Sequence, residues 1–179
     1  MKWPAVLVLA TLLLTVAIQP IGELANILKE KVVLNSALLN SCRAAQNNAI
    51  NTWYLMNLDA YINEGDFMQL FSDAFSQSLN LTHNYDRNTT IDNRVTFTSN
   101  DGRFNPIIME FDLRNTTFDE LGDEDLSITG VHNRPVTLVT VTMETPYLFR
   151  TYWLRQANGA LNDDYLITDA RRFLIQIIN

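Results

Sequence analysis

The sequence predicts an α+β chain: a long N-terminal helix, a membrane span plus an amphipathic extension, packed on or leading to a small antiparallel-sheet domain. Three observations predict it. Residues 5–22 read AVLVLATLLLTVAIQPIG without a charge. The apolar positions then become periodic at three- and four-residue steps through Trp53. Beyond residue 63, one more helical pattern gives way to short alternating segments. The divisions that follow are 1–22 for a transmembrane helix, 23–62 for its amphipathic continuation, and 63–179 for an extracytoplasmic α+β domain.

The first element rests on length. At about 1.5 Å per residue, the 18 uncharged residues span most of a roughly 30 Å hydrocarbon layer. A cleavable signal peptide is the alternative, with Lys2 as a minimal basic region and Thr15-Val16-Ala17 as a cleavage site. Pro20 falls near the exit, where a freed carbonyl is tolerated at the polar interface. The second element follows without a break. Leu24, Leu28 and Val32 open a helical stripe, while Lys29, Glu30 and Lys31 fall on a side that water can reach. The small residues Ser41, Cys42, Ala44 and Ala45 allow another backbone or sheet to approach closely. Uninterrupted to about Asn57, the helix would run to roughly 80 Å.

Turn chemistry at Asn63-Glu64-Gly65-Asp66 ends that element, and Asp66 is the expected cap of a second helix carrying Phe67, Leu70, Phe71, Ala74, Phe75 and Leu79. Residues Thr82 to Arg94 have no apolar period and predict a loop. Alternation then predicts strands through Val95 and Phe97, through Ile107 to Leu113, through Val139 to Met143, and through Tyr147, Phe149 and Tyr152 to Leu154. Turns are expected at Asn100-Asp101-Gly102 and Ala157-Asn158-Gly159. The β-branched isoleucines of RRFLIQII favour a final strand.

Composition narrows function. The 179 residues suit one compact domain with an appendage, and 47% hydrophobic with 18% charged residues describes neither a disordered tail nor a polytopic membrane protein. A net charge of −7 disfavours a phosphate-backbone partner, so nucleic acid is not expected. The charge is divided unevenly: residues 1–58 carry four Lys and Arg against two acids, residues 59–179 nine Arg against eighteen. The lone Cys42 leaves the redox compartment open.

No catalytic, cofactor or metal site is assigned. The six glycines are too dispersed for a dinucleotide fingerprint, a phosphate loop or a nucleophile elbow. His83 and His132 lack metal-ligand spacing and read as surface residues. The run Asp119, Glu120, Asp123, Glu124 and Asp125 lacks the alternating oxygens and central glycine of a calcium loop, which favours a solvated acidic loop. Glu110 and Asp112 share one strand face, but Arg114 continues it, the pattern of a polar exterior rather than a glycosidase pair. The aromatics Tyr147, Phe149, Tyr152 and Trp153 read as sheet core plus an exposed ring, with a binding face as the alternative. Glycosylation-type triplets begin at Asn80, Asn88 and Asn115.

The order of features, an apolar segment followed by PIGELANILKEKVVLNSALLNSCRAAQ, resembles the TadE/TadG-like pseudopilins of tight-adherence (Flp-type) pilus systems. The resemblance covers about residues 5–50 and centres on Leu34, Ala37, Leu38, Arg43, Ala44 and Ala45. It implies a pilin-like fold and a non-enzymatic component of a surface pilus or secretion system, without cofactors. Its implied place is the bacterial cytoplasmic membrane with the C-terminal domain outside, or the cell surface. Its implied partners are membrane lipid and other pilin-like subunits or assembly proteins. Helix packing against equivalent helices is assigned to Leu34, Ala37, Leu38, Ser41, Cys42, Ala44 and Ala45. No basic leader ending in Gly precedes the apolar run, and Gly22-Glu23 falls after it, so an unprocessed relative retaining Met1 is expected. The alternatives are a single-span extracytoplasmic ligand-binding or sensory module, and a secreted enzyme with a cleaved signal. Charge leaves orientation undecided, with Lys2 and the amino terminus on one side of the run and Lys29 and Lys31 on the other.

Overall fold

A computed structural model describes residues 3–49, 62–86, 93–117, 135–152, 154–156 and 165–175. Helix α1 (Trp3–Ala49) is a single 47-residue element that carries Pro20 within it. Its two halves live in different surroundings. Residues 3–22 are exposed on every side, whereas from Glu23 onward one face is buried through Ile27, Leu34, Ala37, Leu38, Ser41, Cys42, Ala45 and Ala49. The helix is long and apolar enough, by length and composition, to cross a membrane. Its expected continuation toward Asn57 lies outside the described residues.

Helix α2 (Glu64–Leu79) starts at Asn63 rather than at the expected cap Asp66. The Asn63 side chain accepts from the Asp66 N–H at 3.1 Å, and its carbonyl accepts from the Phe67 N–H at 3.0 Å. Asp66 thus supplies a donor and a first-turn charge. The helix ends where Asn80 enters the left-handed region at φ 54 and its N–H reaches the Ser76 carbonyl.

Five strands follow as an antiparallel meander in the order β1-β2-β3-β4-β5. They are β1 (Leu81–His83), β2 (Arg94–Ser99), β3 (Ile107–Thr117), β4 (Pro135–Pro146) and β5 (Leu166–Ile175). This is the expected α+β architecture of a long helix leading to a small sheet domain. Two expectations are corrected. The segment from Thr82 is not all loop, because β1 pairs Leu81 with Ser99 and His83 with Phe97. The aromatic segment 147–154 is not a strand: β4 stops at Pro146, and Tyr152 and residues 154–156 form a helical turn. The chain leaves the sheet there because Tyr147 and Thr151 are drawn to Glu23 on α1.

Both helices contribute to one core on one face of the sheet. Phe71 meets Phe67, Phe75 and Phe111 at centroid distances of 6.4, 5.7 and 5.0 Å, and Phe75 meets Phe97 at 5.0 Å. Alternate residues Val95, Met109, Val139, Val141 and Met143 complete the sheet side. The opposite face of β3 presents Glu110, Asp112 and Arg114 to water, with Arg114 Nη2 2.9 Å from Asp112 Oδ2. That is the polar exterior which the alternation anticipates.

The small-residue patch of α1 lies in this core. Leu34, Ala37, Leu38, Ser41, Cys42 and Ala45 are buried and Ala44 half-buried. The small Ala37, Ser41, Cys42 and Ala45 admit the chain's own α2 and sheet, and Leu34 and Leu38 fill the space between, so this face is occupied within one molecule. The face left open on the far side of α1 is Ile21, Leu24, Leu28 and Val32, each more than half exposed.

Candidate functional site

The first charge after the apolar run is Glu23, and it is only 4% exposed. A carboxylate at such a position needs partners, because desolvating it unpaired is costly. They come from the far end of the sequence. Thr151 donates to Glu23 Oε1 through its backbone N–H at 2.6 Å and its hydroxyl at 2.9 Å, and the Tyr147 hydroxyl donates to Oε2 at 2.9 Å. Burial opposes ionisation of Glu23, but the bonds from Thr151 and Tyr147 outweigh it and hold the carboxyl below its ordinary pKa. The same burial, with the Glu23 bond and charge, pushes the Tyr147 phenol up to about 12.

The loop after β4 is built to present these donors. The Tyr147 N–H donates to the Tyr165 carbonyl at 2.7 Å, and the rings of Tyr147, Phe149 and Tyr165 stack edge to face in sequence at 5.4 and 6.0 Å. Arg155 closes the turn, its backbone N–H on the Thr151 carbonyl at 3.0 Å and its Nε on the Phe149 carbonyl at 3.2 Å. Glu23 is thereby clamped to a loop more than a hundred residues away.

Beside the clamp lies a cavity of about 340 Å³. Asn26, Lys29, Glu30 and Val33 of α1 form one wall, Gly102 to Asn105 of the β2–β3 turn another, and Tyr147, Leu148 and Arg150 the third. The turn is the expected Asn100-Asp101-Gly102 turn, with Gly102 at φ +68, a conformation that favours glycine. Asp101 Oδ1 accepts from Ser99 Oγ and from the Arg103 N–H, while Asn105 ties the turn to β4 by donating to the Pro146 carbonyl at 2.7 Å. The Arg103 guanidinium lies 5.1 Å from the centroid of the Phe104 ring. Burial raises the Glu30 carboxyl, against the pull of Arg150 and Arg103. Among the described residues, no carboxylate lies within ion-pair distance of Lys29, Arg103 or Arg150.

Other candidates resolve differently. His83 lies on β1, not in a loop, with Nε2 3.2 Å from Asp73 Oδ1. No group of three or more His, Cys, Asp or Glu side chains among the described residues is placed to hold a metal ion. His132, the acidic run 119–125, Trp153 and the turn at 157–159 lie outside the described residues. Burial pushes the Cys42 thiol up to about 12, which makes it a core residue rather than a nucleophile.

Sequence reasoning did not find the clamp or the cavity. A usable signal existed in Glu23, the lone acid at the end of an apolar run with apolar Ile27 four residues on. Nothing in the sequence joins it to Thr151. No protein-family model, curated protein or solved structure matches this chain.

Proposed function

We propose that this chain is a membrane-anchored, non-enzymatic, pilin-like subunit or assembly component of a surface pilus or secretion system. The supporting observation is one unbroken helix whose first twenty described residues are exposed on every side while its remainder helps build the core of an α+β head. A soluble chain would leave Val6, Leu7, Leu12, Leu13 and Val16 in water, each more than half exposed. In a bilayer that exposure becomes favourable, and residues 5–22 anchor the head at the outer surface. The Glu23 clamp fixes the head to the helix at the level where the apolar run ends, so force on one reaches the other.

Assembly then uses the open stripe Ile21, Leu24, Leu28 and Val32, not the filled small-residue face. The test is cysteine crosslinking in membranes from the native host, with Leu28→Cys in a Cys42→Ala background. Disulfide-linked dimers are expected from position 28, with none from Asp112→Cys on the outer sheet face. Monomers at position 28 as well as at Leu24→Cys would refute assembly through this face.

A further inference from the structure

The cavity beside the clamp has a composition that anchoring alone does not require. Three cations reach it from three separate segments: Lys29 from α1, Arg103 from the β2–β3 turn and Arg150 from the loop after β4. One carboxylate, Glu30, shares the space, so the lining carries an excess of positive charge in a chain whose net charge is −7. Glu30 is drawn to Arg150 and Arg103, and Asp101 to Arg103, but neither forms an ion pair with these cations among the described residues. The three cations outnumber the one carboxylate of the lining, which favours an anion. A volume of about 340 Å³ falls within the range of small-ligand sites and exceeds what one ordered water needs. Arginine suits a phosphate, since its planar fork donates two parallel hydrogen bonds to adjacent oxygens.

Position identifies the source of that phosphate. Asn26 lies four residues past the end of the apolar run and Lys29 seven, which at 1.5 Å per residue is about 6 and 10 Å along the helix. The headgroup layer occupies roughly the first 5–8 Å beyond the hydrocarbon. The loop that supplies Arg150 also carries Leu148 and Tyr152, 61% and 67% exposed, the kind of apolar and aromatic residues that settle at a membrane interface. The geometry points to a lipid-headgroup site: the cavity receives the phosphate of a membrane phospholipid through Lys29, Arg103 and Arg150. This rests on the reading of residues 5–22 as a membrane span. A bound lipid would lock the β2–β3 turn and the post-β4 loop against α1, and so set the tilt of the head on the bilayer.

The test is native mass spectrometry of the full chain in detergent, incubated separately with phosphatidylglycerol, phosphatidylethanolamine, diacylglycerol and inorganic phosphate. Retention of one phospholipid of either class is expected, without retention of diacylglycerol. Each of Arg103→Gln and Arg150→Gln is expected to weaken retention about tenfold, the low end for charge-assisted hydrogen bonds. Arg150→Gln keeps the backbone that holds Glu23, so an unchanged melting temperature shows that the variant is folded. Equal retention of diacylglycerol, or no effect of either arginine variant, overturns the site. Capture of inorganic phosphate that excess phospholipid does not displace overturns the lipid assignment. Carbonate washing of host membranes separates this inference from its premise: loss of the chain in the wash refutes the span, whereas a retained chain without lipid selectivity refutes only the headgroup site.

Discussion

Replacing Glu23 with glutamine probes the junction between helix and head while keeping the shape of the side chain. Three donors converge on the carboxylate, from the Thr151 N–H, the Thr151 hydroxyl and the Tyr147 hydroxyl. A carboxamide oxygen can serve donors on one side only, and its NH2 then faces a donor on the other. Bonds to a buried charge contribute about 1.5–3 kcal/mol each and neutral ones about 0.5–1.5, while an orphaned buried donor costs about 1–3. Relief from desolvating the charge offsets part of the loss. The net expectation is destabilisation by about 2–3 kcal/mol, or roughly 5–10 °C in melting temperature for a domain of this size. Near-UV circular dichroism of the full chain in detergent measures the shift, and hydrogen exchange at the Thr151 amide localises it. An unchanged melting temperature together with unchanged exchange at Thr151 would refute the clamp. Acid supplies a second arm. The folded Glu23 pKa lies below its reference of 4.5, so the unfolded chain binds the proton more readily. The ionised clamp's contribution is then complete above about 4.5 and is lost as pH falls through the lower folded value. The gap between wild type and Glu23→Gln should therefore narrow on acidification and stay constant above pH 6.

Other outcomes follow from the same contacts. Phe71→Ala removes a ring packed against Phe67, Phe75 and Phe111 and should cost about 3–5 kcal/mol in denaturant unfolding; a loss under 1 would contradict the aromatic core. Asn63→Ala should cost about 1 kcal/mol through the α2 cap, and Asp66→Asn much less; the reverse order would restore Asp66 as the cap. Cys42 should resist a maleimide until the chain unfolds, because burial keeps it protonated and covered.

Where one element dictates its own pattern, the sequence was legible. The change from continuous to periodic apolar residues at Ile21 marks the point where α1 leaves open exposure and enters the core, and Glu23 is its first buried residue. Alternation in β2, β3 and β4 placed Val95, Phe97, Met109, Phe111, Val139, Val141 and Met143 inside. Misreadings arose where tertiary contacts override local pattern. Leu81–His83 is too short and polar to alternate, and becomes a strand only because β2 offers it a partner. Tyr147 to Leu154 alternates like a strand, yet Thr151 and Tyr147 are drawn to a carboxylate on α1. The small-residue patch of α1 is buried in the chain's own core, and which element covers it depends on how α2 folds back. The cavity was invisible for the same reason, since Lys29, Arg103 and Arg150 meet only through the sheet topology.

The central claim is that residues 5–22 remain in the chain and hold it in a membrane. The intact mass of the protein recovered from carbonate-washed membranes and from the medium of its native host tests this directly. The account predicts a membrane-bound chain that retains Met1 to Gly22. A chain cut near Ala17 and released into the medium would contradict it, and would make the apolar run a signal peptide.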